Sequence, residues 1–486
     1  MTVDVTPVYC PALFLSAPGS GDGKTTITAA LARYFTLQGK VVRVFKTGPD
    51  YLDPQILAQA SGQGVEQLDM WMAGDAYCQQ KLYEAAQVAD LILVEGAMGM
   101  FDGTPSSADL AARFGIPIAI VMDVKGMAQT AAALACGLAN YRDDVQVAGI
   151  IANSCGTERH AELIRNALPD HLPLLAALAR DPAVSLPERH LGLVQANEVR
   201  DELEQCFAAG TRWLAGNAIT NMPAPVAFYP AEVDAVPRSL MGLRIGIARD
   251  AAFSFIYDAN LRLLTQMGAQ YQFFSPLNDR VLPTVDALWL PGGYPELHAA
   301  QLAANQPMLE AIRAYCHSGK MLLAECGGFL YCLDTLTDLA EQEHRMLGVL
   351  KGDGAMRGKR GCQGMQTAVF PEGEVRAHAH HRSRSSGTDQ PIGFGRRQRN
   401  AAPGEAIYRH QGVTASYLHL FFPSNPAAIA QIFRGSVKPA LTNQGNSLVQ
   451  DSQPKGEMSG EMSSEVPGAA AGQDVETHHA EVSGAC

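Results

Sequence analysis

Residues 12–26 read ALFLSAPGSGDGKTT: an apolar run passes into a glycine-rich loop, and residues 25–37 have the length and composition of a helix. The position where a phosphate-binding loop usually begins with glycine is Pro18, but the rest of the pattern, SGxGKTT, is intact. Glycines let backbone N–H groups converge on phosphate oxygens, and the start of a helix adds partial positive charge. The stretch therefore predicts a nucleotide-phosphate site between a strand and a helix. A glycine-rich turn that binds nothing is the alternative.

The alternation of short apolar runs with helical segments continues through the first 220 residues. Near-continuous Val, Ile and Leu runs indicate strands buried on both faces of a parallel sheet. They lie at residues 41–46, 91–96, 116–124 and 147–153. A second set of runs lies at residues 243–250, 269–277, 286–293 and 320–326. The predicted fold class is therefore α/β, with two α/β domains in series.

Shifts in composition set the predicted domain boundaries. Residues 221–240 contain four prolines, which predicts a linker between a first domain at 1–220 and a second at 241–436. Residues 437–486 are rich in Gly, Ser, Gln and Glu and poor in large apolar side chains. Such a segment cannot bury enough surface to fold, so we predict a disordered tail.

Candidate ligand residues lie in the loop and after the predicted strands. Lys24 is expected to reach the β- and γ-phosphates of ATP, and the Thr25 hydroxyl to ligate Mg²⁺. The other ATP-binding candidates are Gly21, Gly23, Thr26 and Asn153. Acidic candidates follow strands whose carboxyl ends face one crevice, and they are Asp50, Asp53, Glu95 and Asp102. The predicted Mg²⁺ ligands are Thr25, Asp50 and Glu95. Each aspartate alone is more often a turn residue, and Asn153 is as readily a strand-end turn as a partner of adenine.

A second candidate centre is a cysteine between a predicted strand and a predicted helix. Residues 324–328 read AECGG, and small residues around Cys326 are typical of a sharp elbow that presents a nucleophile. The following helix N-terminus predicts a lowered thiol pKa. The N–H groups of Gly292 and Gly293 are predicted to form an oxyanion hole, and His419 to act as the base. Position 421, two residues after His419, is Phe rather than a carboxylate, so the third member of this site is unassigned.

These motifs together resemble the cobyrinate a,c-diamide synthase family, including its hydrogenobyrinate-using form, from about Leu13 to Phe433. Besides the loop, the resemblance rests on KTGPDYLDP at 46–54, VEGAMGMFDG at 94–103, PERHLGLV at 187–194, ARDAAFSF at 248–255, LPGGYPEL at 290–297, AECGGFLY at 324–331 and ASYLHLFF at 415–422. It implies a dethiobiotin-synthetase-like first domain and a class I glutamine amidotransferase second domain. It also implies that Cys326 is the glutaminase nucleophile and His419 its base. The residues it assigns to MgATP are Lys24, Thr25 and Glu95, and it places Asp50, Asp53 and Asp102 near metal, phosphate or the corrinoid carboxylate. The predicted substrate residues are Tyr51, Leu52, Asp53 and Asp102.

The resemblance further implies the reaction and its partners. ATP would activate two acetate side chains of a corrinoid polycarboxylate, L-glutamine would supply ammonia, and a homodimer is left open. Cobyric acid synthase and nickel-sirohydrochlorin a,c-diamide synthase share the two-domain plan and stay as alternatives, although PDYLDP and PERHLGLV favour the a,c-diamide enzyme over cobyric acid synthase. A switch ATPase, the alternative from another class, has no use for an AECGG elbow followed by a strand-end histidine.

Composition limits the remaining possibilities. With 49 acidic and 37 basic residues the net charge is -12, which argues against a nucleic-acid surface. No run of 18 apolar residues and no basic leader is present, so we expect no membrane span, no signal peptide and a cytoplasmic location. The ten cysteines have no CxxC pair or zinc-site spacing and are interpreted as reduced thiols. A polyanionic substrate needs a local cationic patch, for which the candidates are Arg357, Lys359, Arg360, Arg376 and Arg382.

One segment departs from the family pattern. The family usually reads RGHTFHYS near residues 376–383, where this chain reads RAHAHHRS. The histidines at 378 and 381 and the serine at 383 are kept, and the segment is expected near the contact between the domains.

Overall fold

The computed structural model describes residues 6–189, 192–193, 199–357 and 361–435. The predicted tail, Lys359, Arg360 and part of the motif at 187–194 lie outside these residues. Among the helices that are described, none is long and apolar enough to cross a membrane.

The first part of the chain alternates strands and helices, as predicted. Its strands are β1 Val8–Ser16, β2 Val42–Lys46, β3 Glu66–Gln67, β4 Leu91–Glu95, β5 Ile118–Asp123, β6 Val147–Asn153, β7 Leu174–Ala177, β8 Glu188–Arg189, β9 Gly192–Leu193 and β10 Pro225–Phe228. Its helices are α1 Lys24–Leu37, α2 Leu52–Ser61, α3 Asp75–Ala86, α4 Ser107–Phe114, α5 Gln129–Ala139, α6 Glu158–Ala167 and α7 Arg200–Leu214.

The first sheet is parallel along the order β3-β2-β4-β1-β5-β6-β7. Successive side chains of a strand point to opposite faces, so Ala12 and Phe14 of β1 join one core cluster, and Leu13 and Leu15 join the other. Both faces are buried, which explains the near-continuous apolar runs. The carboxyl ends of β1, β2 and β4 meet at one edge, and the loops with the candidate ligands follow them.

Part of the stretch predicted as a linker is a strand. β10 pairs antiparallel with the start of β1, with Val8 opposite Phe228 and Pro11 opposite Pro225. Proline has no N–H group to donate, and Pro225 is the first residue of β10, where that loss is tolerated. Residues 225–228 therefore belong to the first sheet.

The second part of the chain contains a larger mixed sheet and a small four-stranded sheet. Its strands are β11 Arg244–Ala248, β12 Gln270–Phe274, β13 Ala287–Leu290, β14 Met321–Glu325, β15 Thr335–Thr337, β16 Glu343–Arg345, β17 Asp353–Met356, β18 Cys362–Phe370, β19 Gly373–His381, β20 Ser383–Ser386, β21 Gly393–Arg397, β22 Pro403–His410, β23 Val413–Ser416 and β24 Leu418–Leu420. Its helices are α8 Asp258–Gln266, α9 Ala299–Ala304, α10 Gln306–His317, α11 Gly327–Cys332 and α12 Pro426–Arg434.

The large sheet has the order β12-β11-β13-β14-β23-β22-β21-β18-β19-β24. The first five strands in this order, β12, β11, β13, β14 and β23, are parallel to one another. From β23 onwards each strand pairs antiparallel with the next, through β22, β21, β18, β19 and β24. Because β24 lies beside β19, His419 is opposite His378. The same order places the end of β14, which carries Glu325, beside Ser416 of β23.

The two parts of the chain meet at a cluster of aromatic side chains, which we call the aromatic junction. Tyr51 comes from the first part, and Phe255, Tyr257 and Phe421 come from the second. Tyr51, Tyr257 and Phe421 are buried. The segment that carries Asp50 and Asp53 therefore approaches the second sheet directly.

Candidate active site

The phosphate-binding loop joins β1 to α1. Gly21 and Gly23 have φ of +91° and +96°, in the left-handed region that favours glycine. The ammonium of Lys24 donates hydrogen bonds to the carbonyls of Gly19 and Met98, at 2.7 Å each. Burial, and then the nearby charge of Lys46, lower the pKa of Lys24. The side chain thus lies along the loop, where a nucleotide phosphate would bind.

A cluster of carboxylates, of which Glu95 is fully buried and Asp50 and Asp53 are partly buried, lies beside the loop. The Thr25 hydroxyl is 2.9 Å from Glu95 Oε1 and 3.3 Å from Asp53 Oδ2. Lys46 Nζ is 2.5 Å from both of those carboxylate oxygens and 3.7 Å from Asp50 Oδ2. The structure therefore brings together four of the predicted residues around Lys46, which sequence reasoning missed. The available signal was a lysine that directly follows the apolar residues Val44 and Phe45 at the end of a strand, because lysine is almost never buried without partners.

The cluster offers the donors that Mg²⁺ prefers. Glu95 Oε2 is buried and has no hydrogen-bond partner among the described residues. Burial, and then repulsion by the nearby Asp53 carboxylate, raise the pKa of Asp50 to about 7, and a bound cation would reduce this repulsion. With the Thr25 hydroxyl, these carboxylates form a set of hard oxygen ligands. The residues present fit a magnesium ion.

Asn153 braces the phosphate-binding loop. Its Nδ2 donates to the Asp22 carbonyl at 2.9 Å, and its Oδ1 accepts from the N–H group of Ser154 at 2.9 Å. A Cβ at Gly23 would lie 2.4 Å from Asn153 Nδ2, so only glycine fits between the loop and this amide. Contact of Asn153 with adenine, and of Thr26 with ATP, stays a prediction.

Asp102 lies on the other side of the loop and is exposed. Its carboxylate accepts from the N–H group of Gly99 at 3.1 Å. A Cβ at Gly99 would lie 2.5 Å from the Pro18 carbonyl, so this turn contacts the phosphate-binding loop closely. That position is compatible with a role at the substrate, which stays a prediction.

The cysteine elbow is present between β14 and α11. Cys326 has φ of +47° and ψ of -102°, a region that non-glycine residues rarely adopt. Its N–H group donates to the Ser416 carbonyl at 2.8 Å, and its Sγ lies 3.9 Å from the His380 carbonyl oxygen. A Cβ at Gly328 would lie 2.1 Å from the Leu290 carbonyl. Glycine is therefore required for the turn to pass so close to β13.

The predicted lowering of the thiol pKa is wrong. Burial raises the pKa of Cys326, and the carboxylate of Glu296 raises it further. A hydrogen bond from the backbone of Gly327 lowers it, but α11 has only six residues and does not reverse the cost of desolvation. The thiol is therefore protonated before reaction, and a base must remove its proton.

His419 is the candidate base, and it is oriented by packing. Both of its ring nitrogens lack a hydrogen-bond partner within the part of the chain that the structure describes. Its ring lies 5.0 Å from the ring of Tyr51, and its Cε1 would be 2.2 Å from a Cβ at Gly292. Thus no described carboxylate binds the imidazole, and the third member stays unassigned. Glu325 instead accepts from the N–H group of Leu420 at 2.9 Å, which fixes the backbone next to His419.

The predicted oxyanion-hole glycines lie next to the elbow. The Gly292 carbonyl accepts from the N–H groups of Ser254 and Phe255, at 3.0 Å each. The nitrogen of Gly293 would lie 3.0 Å from a Cβ at Gly327, the residue after the nucleophile. The glycine pair thus contacts both the elbow and His419, although its role in stabilising an oxyanion stays a prediction.

Tyr51 lies between the carboxylate cluster and the candidate base. Its ring stacks on Phe255 at 5.1 Å and lies 4.4 Å from the ring of Tyr257. The residues that flank Tyr51 in the sequence belong to the cluster or contact it. The N–H group of Leu52 donates to Asp50 Oδ1 at 3.0 Å, and Asp53 pairs with Lys46. Tyr51, Leu52 and Asp53, three of the residues predicted to touch substrate, are thus at or next to the cluster, but the ring of Tyr51 contacts aromatic residues of the second part of the chain.

The described arginines of the predicted cationic patch have different partners: Arg376 contacts the first part of the chain, whereas Arg357 and Arg382 contact each other. The Arg376 guanidinium donates to Thr367 Oγ1 at 2.8 Å and lies 4.5 Å from the ring centre of Trp71. Arg357 and Arg382 are joined by a backbone hydrogen bond of 2.7 Å. Arg376 is therefore at the contact between the two parts of the chain, as expected for its segment, and already has partners there.

The burial of His419 predicts a loss of stability in acid. Burial lowers its pKa from 6.5 to about 3, so the unfolded chain binds a proton that the folded chain does not. Protonation of His419 in the unfolded chain therefore costs no stability above pH 6.5, and it lowers the free energy of unfolding progressively as the pH falls from 6.5 towards 3. Between about pH 8 and about pH 5, wild type should lose about 2 kcal/mol of unfolding free energy relative to His419→Gln. Urea titrations of both proteins measure this, and parallel pH dependences would contradict it.

Comparison with known proteins gives the class to which these two sites belong. Residues 13–194 match the family model described as the CobQ/CobB/MinD/ParA nucleotide binding domain, and residues 244–427 match the CobB/CobQ-like glutamine amidotransferase domain. The phosphate-binding loop and the cysteine elbow lie within these respective ranges. The chain is therefore a glutamine amidotransferase-type ligase with a nucleotide-binding domain.

Relatives that match most of the chain narrow the class to one family. Two are named hydrogenobyrinate a,c-diamide synthase: that of Stutzerimonas stutzeri is 50% identical over 431 residues, covering 88% of this chain and 100% of the relative, and that of Pseudomonas aeruginosa is 48% identical, covering 88% and 98%. A cobyrinate a,c-diamide synthase from Herminiimonas arsenicoxydans is 44% identical, covering 88% and 97%. The chain belongs to the cobyrinate and hydrogenobyrinate a,c-diamide synthase family.

Proposed function

We propose that this protein uses ATP and glutamine to amidate the a and c acetate side chains of a corrinoid in cobalamin biosynthesis. The observation that carries the proposal is one short segment that reaches both sites: the Tyr51 ring lies 5.0 Å from the ring of His419, and Asp53 is hydrogen-bonded to Thr25 of the phosphate-binding loop. A ligase needs the first site to activate a carboxylate, and an amidotransferase needs the second to release ammonia. The names of the relatives supply the substrate.

The glutaminase half of the reaction follows from the elbow. Cys326 Sγ attacks the amide carbon of glutamine while His419 removes the thiol proton. The N–H groups of Gly292 and Gly293 would stabilise the negative oxygen. His419 then gives its proton to the departing ammonia, and water cleaves the thioester to release glutamate. Burial keeps the imidazole of His419 neutral before reaction, so a ring nitrogen has a lone pair that can accept the proton.

The synthetase half uses the loop and the carboxylate cluster. The γ-phosphoryl group of ATP moves to a substrate carboxylate and ADP leaves; ammonia then attacks the acyl phosphate, and inorganic phosphate leaves. Lys24 and the loop amides bind the phosphates, which lowers the cost of bringing two anions together. Magnesium held by Thr25, Asp50 and Glu95 would supply further positive charge on the phosphate oxygens. We propose that Asp53 and Asp102, beside the phosphate-binding loop, contact the substrate.

The metal-free corrinoid is the substrate that we propose. The relatives at 50% and 48% identity are named for hydrogenobyrinate, whereas the relative at 44% is named for cobyrinate. A cytoplasmic location and a homodimer stay predictions from the sequence.

Mass spectrometry of the corrinoid tests the proposal. The purified protein is incubated with ATP, Mg²⁺ and glutamine, and with hydrogenobyrinate or cobyrinate in parallel. Each change of a carboxyl group to an amide lowers the mass by the same small step. Two steps on hydrogenobyrinate, which must stop in the absence of ATP, are the expected result.

Other outcomes distinguish the alternatives. Four further steps on an a,c-diamide substrate, with none on the free acid, would identify a cobyric acid synthase. Two steps on nickel-sirohydrochlorin alone would identify that diamide synthase instead. Glutamate release without a change in any corrinoid would leave only the glutaminase half of the proposal standing.

Removal of the Tyr51 ring should weaken the glutaminase. Tyr51 is 7% exposed and contacts His419, whose ring nitrogens have no partner among the described residues. In Tyr51→Ala the imidazole of His419 loses the ring that packs against it. A small displacement of a catalytic group lowers the reaction rate strongly. We expect kcat/KM for glutamate release to fall about tenfold or more.

The matched control is Tyr51→Phe, which keeps the ring and should keep the glutaminase within a factor of about two. A Tyr51→Ala protein with normal glutaminase and poor corrinoid amidation would show instead that Tyr51 serves only the substrate.

A further inference from the structure

We infer that Cys362, His381 and Glu405 bind one zinc ion in the second sheet. Cys362 and His381 are cross-strand partners at the open end of the β18–β19 hairpin, and Glu405 lies in β22. One ligand atom from each residue, a sulfur, a nitrogen and an oxygen, lies within 4.8 Å of the other two. His381 Nε2 is 3.4 Å from Glu405 Oε1, a usual separation for two ligands of the same zinc ion.

The hydrogen bonding of His381 leaves one nitrogen free for a cation. Its Nδ1 is 3.1 Å from the Ser383 carbonyl, which can only accept, so Nδ1 carries the proton. Its Nε2 is buried and has no hydrogen-bond partner among the described residues. The same nitrogen faces Glu405 Oε1 at 3.4 Å, so it can hold either a proton that pairs with the carboxylate or a metal ion that both atoms bind.

The surroundings fix the orientation of the imidazole. The His381 ring stacks on Tyr417 with 3.8 Å between ring centres and 8° between ring planes. A backbone carbonyl on one nitrogen and an open second nitrogen is the arrangement that orients histidine ligands in metal sites. His381 is thus held in position by contacts that do not involve the ion.

The donor types select the metal. Thiolate, imidazole and carboxylate together suit Zn²⁺, whereas Mg²⁺ and Ca²⁺ prefer oxygen alone. The Cys362 side chain is a free thiol. On binding, the Zn–S bond would form and the thiol proton would pass to solvent. Three protein ligands leave a fourth position for water.

A zinc ion here would tie together strands that are not neighbours. β21 lies between β22 and β18 in the sheet, so the ion would link the hairpin to β22 across one strand. His380, next to His381, places its carbonyl 3.9 Å from Cys326 Sγ. The ion would therefore support the strand that borders the nucleophile without using the nucleophile as a ligand.

Cobalt substitution tests this site in the full-length protein. Co²⁺ is added to protein freed of metal by a chelator, and the absorption of Co²⁺–thiolate charge transfer is followed. Wild type and Cys326→Ala should each show the Co²⁺–thiolate band, which Zn²⁺ removes, and Cys362→Ser should lose the band. Cys136→Ser, a partly buried cysteine of the first part, is the control and should behave as wild type.

Stability measurements provide a second readout. Zn²⁺ should raise the unfolding temperature of wild type and Cys326→Ala, but not of Cys362→Ser or Glu405→Gln, because only binding to the folded chain stabilises it. A band that survives in Cys362→Ser and disappears in Cys326→Ala would move the metal to the nucleophile and overturn the inference. Wild type without any band would also overturn it, and would identify His381 and Glu405 as a simple ion pair.

Discussion

Replacement of Cys326 by alanine should lower glutamine-dependent amidation by about a thousandfold or more, because the attacking atom is lost. Amidation with free ammonia should continue, since ammonia enters the reaction after the thioester step. The carboxylate cluster makes no use of Cys326, and the elbow contributes nothing to phosphate binding. The measurement is corrinoid amidation with glutamine and with an ammonium salt, at a pH where free ammonia is abundant.

Cys316→Ala is the matched control for the loss of a thiol. Cys316 is buried in α10, in the same part of the chain as Cys326, and it has no role in the proposed chemistry. It should retain both activities, apart from a small loss of stability. If Cys326→Ala lost both activities while unfolding at the same temperature as Cys316→Ala, the proposed division of labour between the two sites would be wrong.

The regular elements could be predicted because their causes are local. Apolar runs buried on both faces located the parallel strands, and the helix predicted at residues 25–37 is observed at Lys24–Leu37. The strand at Pro225–Phe228 was missed, because its partner is β1, at the other end of the first part. Proline content describes the backbone of a segment but not what that segment pairs with.

The two loops of the candidate site were also predictable, for the same reason. Gly23 must be glycine because of its own φ and the adjacent amide of Asn153, and the Cys326 elbow needs Gly328 to pass Leu290. These requirements are visible in a few consecutive residues. The thiol pKa was predicted wrongly because burial, which depends on the whole domain, outweighs the short helix.

Contacts between distant segments could not be predicted. The sequence gives no reason for Tyr51 to meet His419, since the contact depends on how the two parts of the chain meet. The cluster of Cys362, His381 and Glu405 depends on the order of strands in the second sheet. A search for closely spaced cysteine and histidine motifs does not find ligands that come from three strands.

Lys46 should matter to the synthetase more than any other residue that sequence reasoning missed. Its side chain is 4% exposed and pairs with Asp53 and Glu95. In Lys46→Met two buried carboxylates lose their partner, which typically costs about 3–5 kcal/mol. The carboxylates would then take up protons or shift, so we expect ATP-dependent amidation to fall about a hundredfold or more and glutamate release to stay near the wild-type rate.

Magnesium provides the sharpest test of this interpretation. If the cluster binds Mg²⁺, the ion should replace part of the missing charge, so that Mg²⁺ raises the unfolding temperature of Lys46→Met more than that of wild type. Lys40→Met removes an exposed lysine 3.7 Å from Asp90 and should change stability by less than about 0.5 kcal/mol, with no added response to Mg²⁺. A Lys46→Met protein as stable as Lys40→Met, and equally indifferent to Mg²⁺, would contradict the assignment. The carboxylates would then be neutralised by protons or by each other, and Lys46 would not be the charge that holds them together.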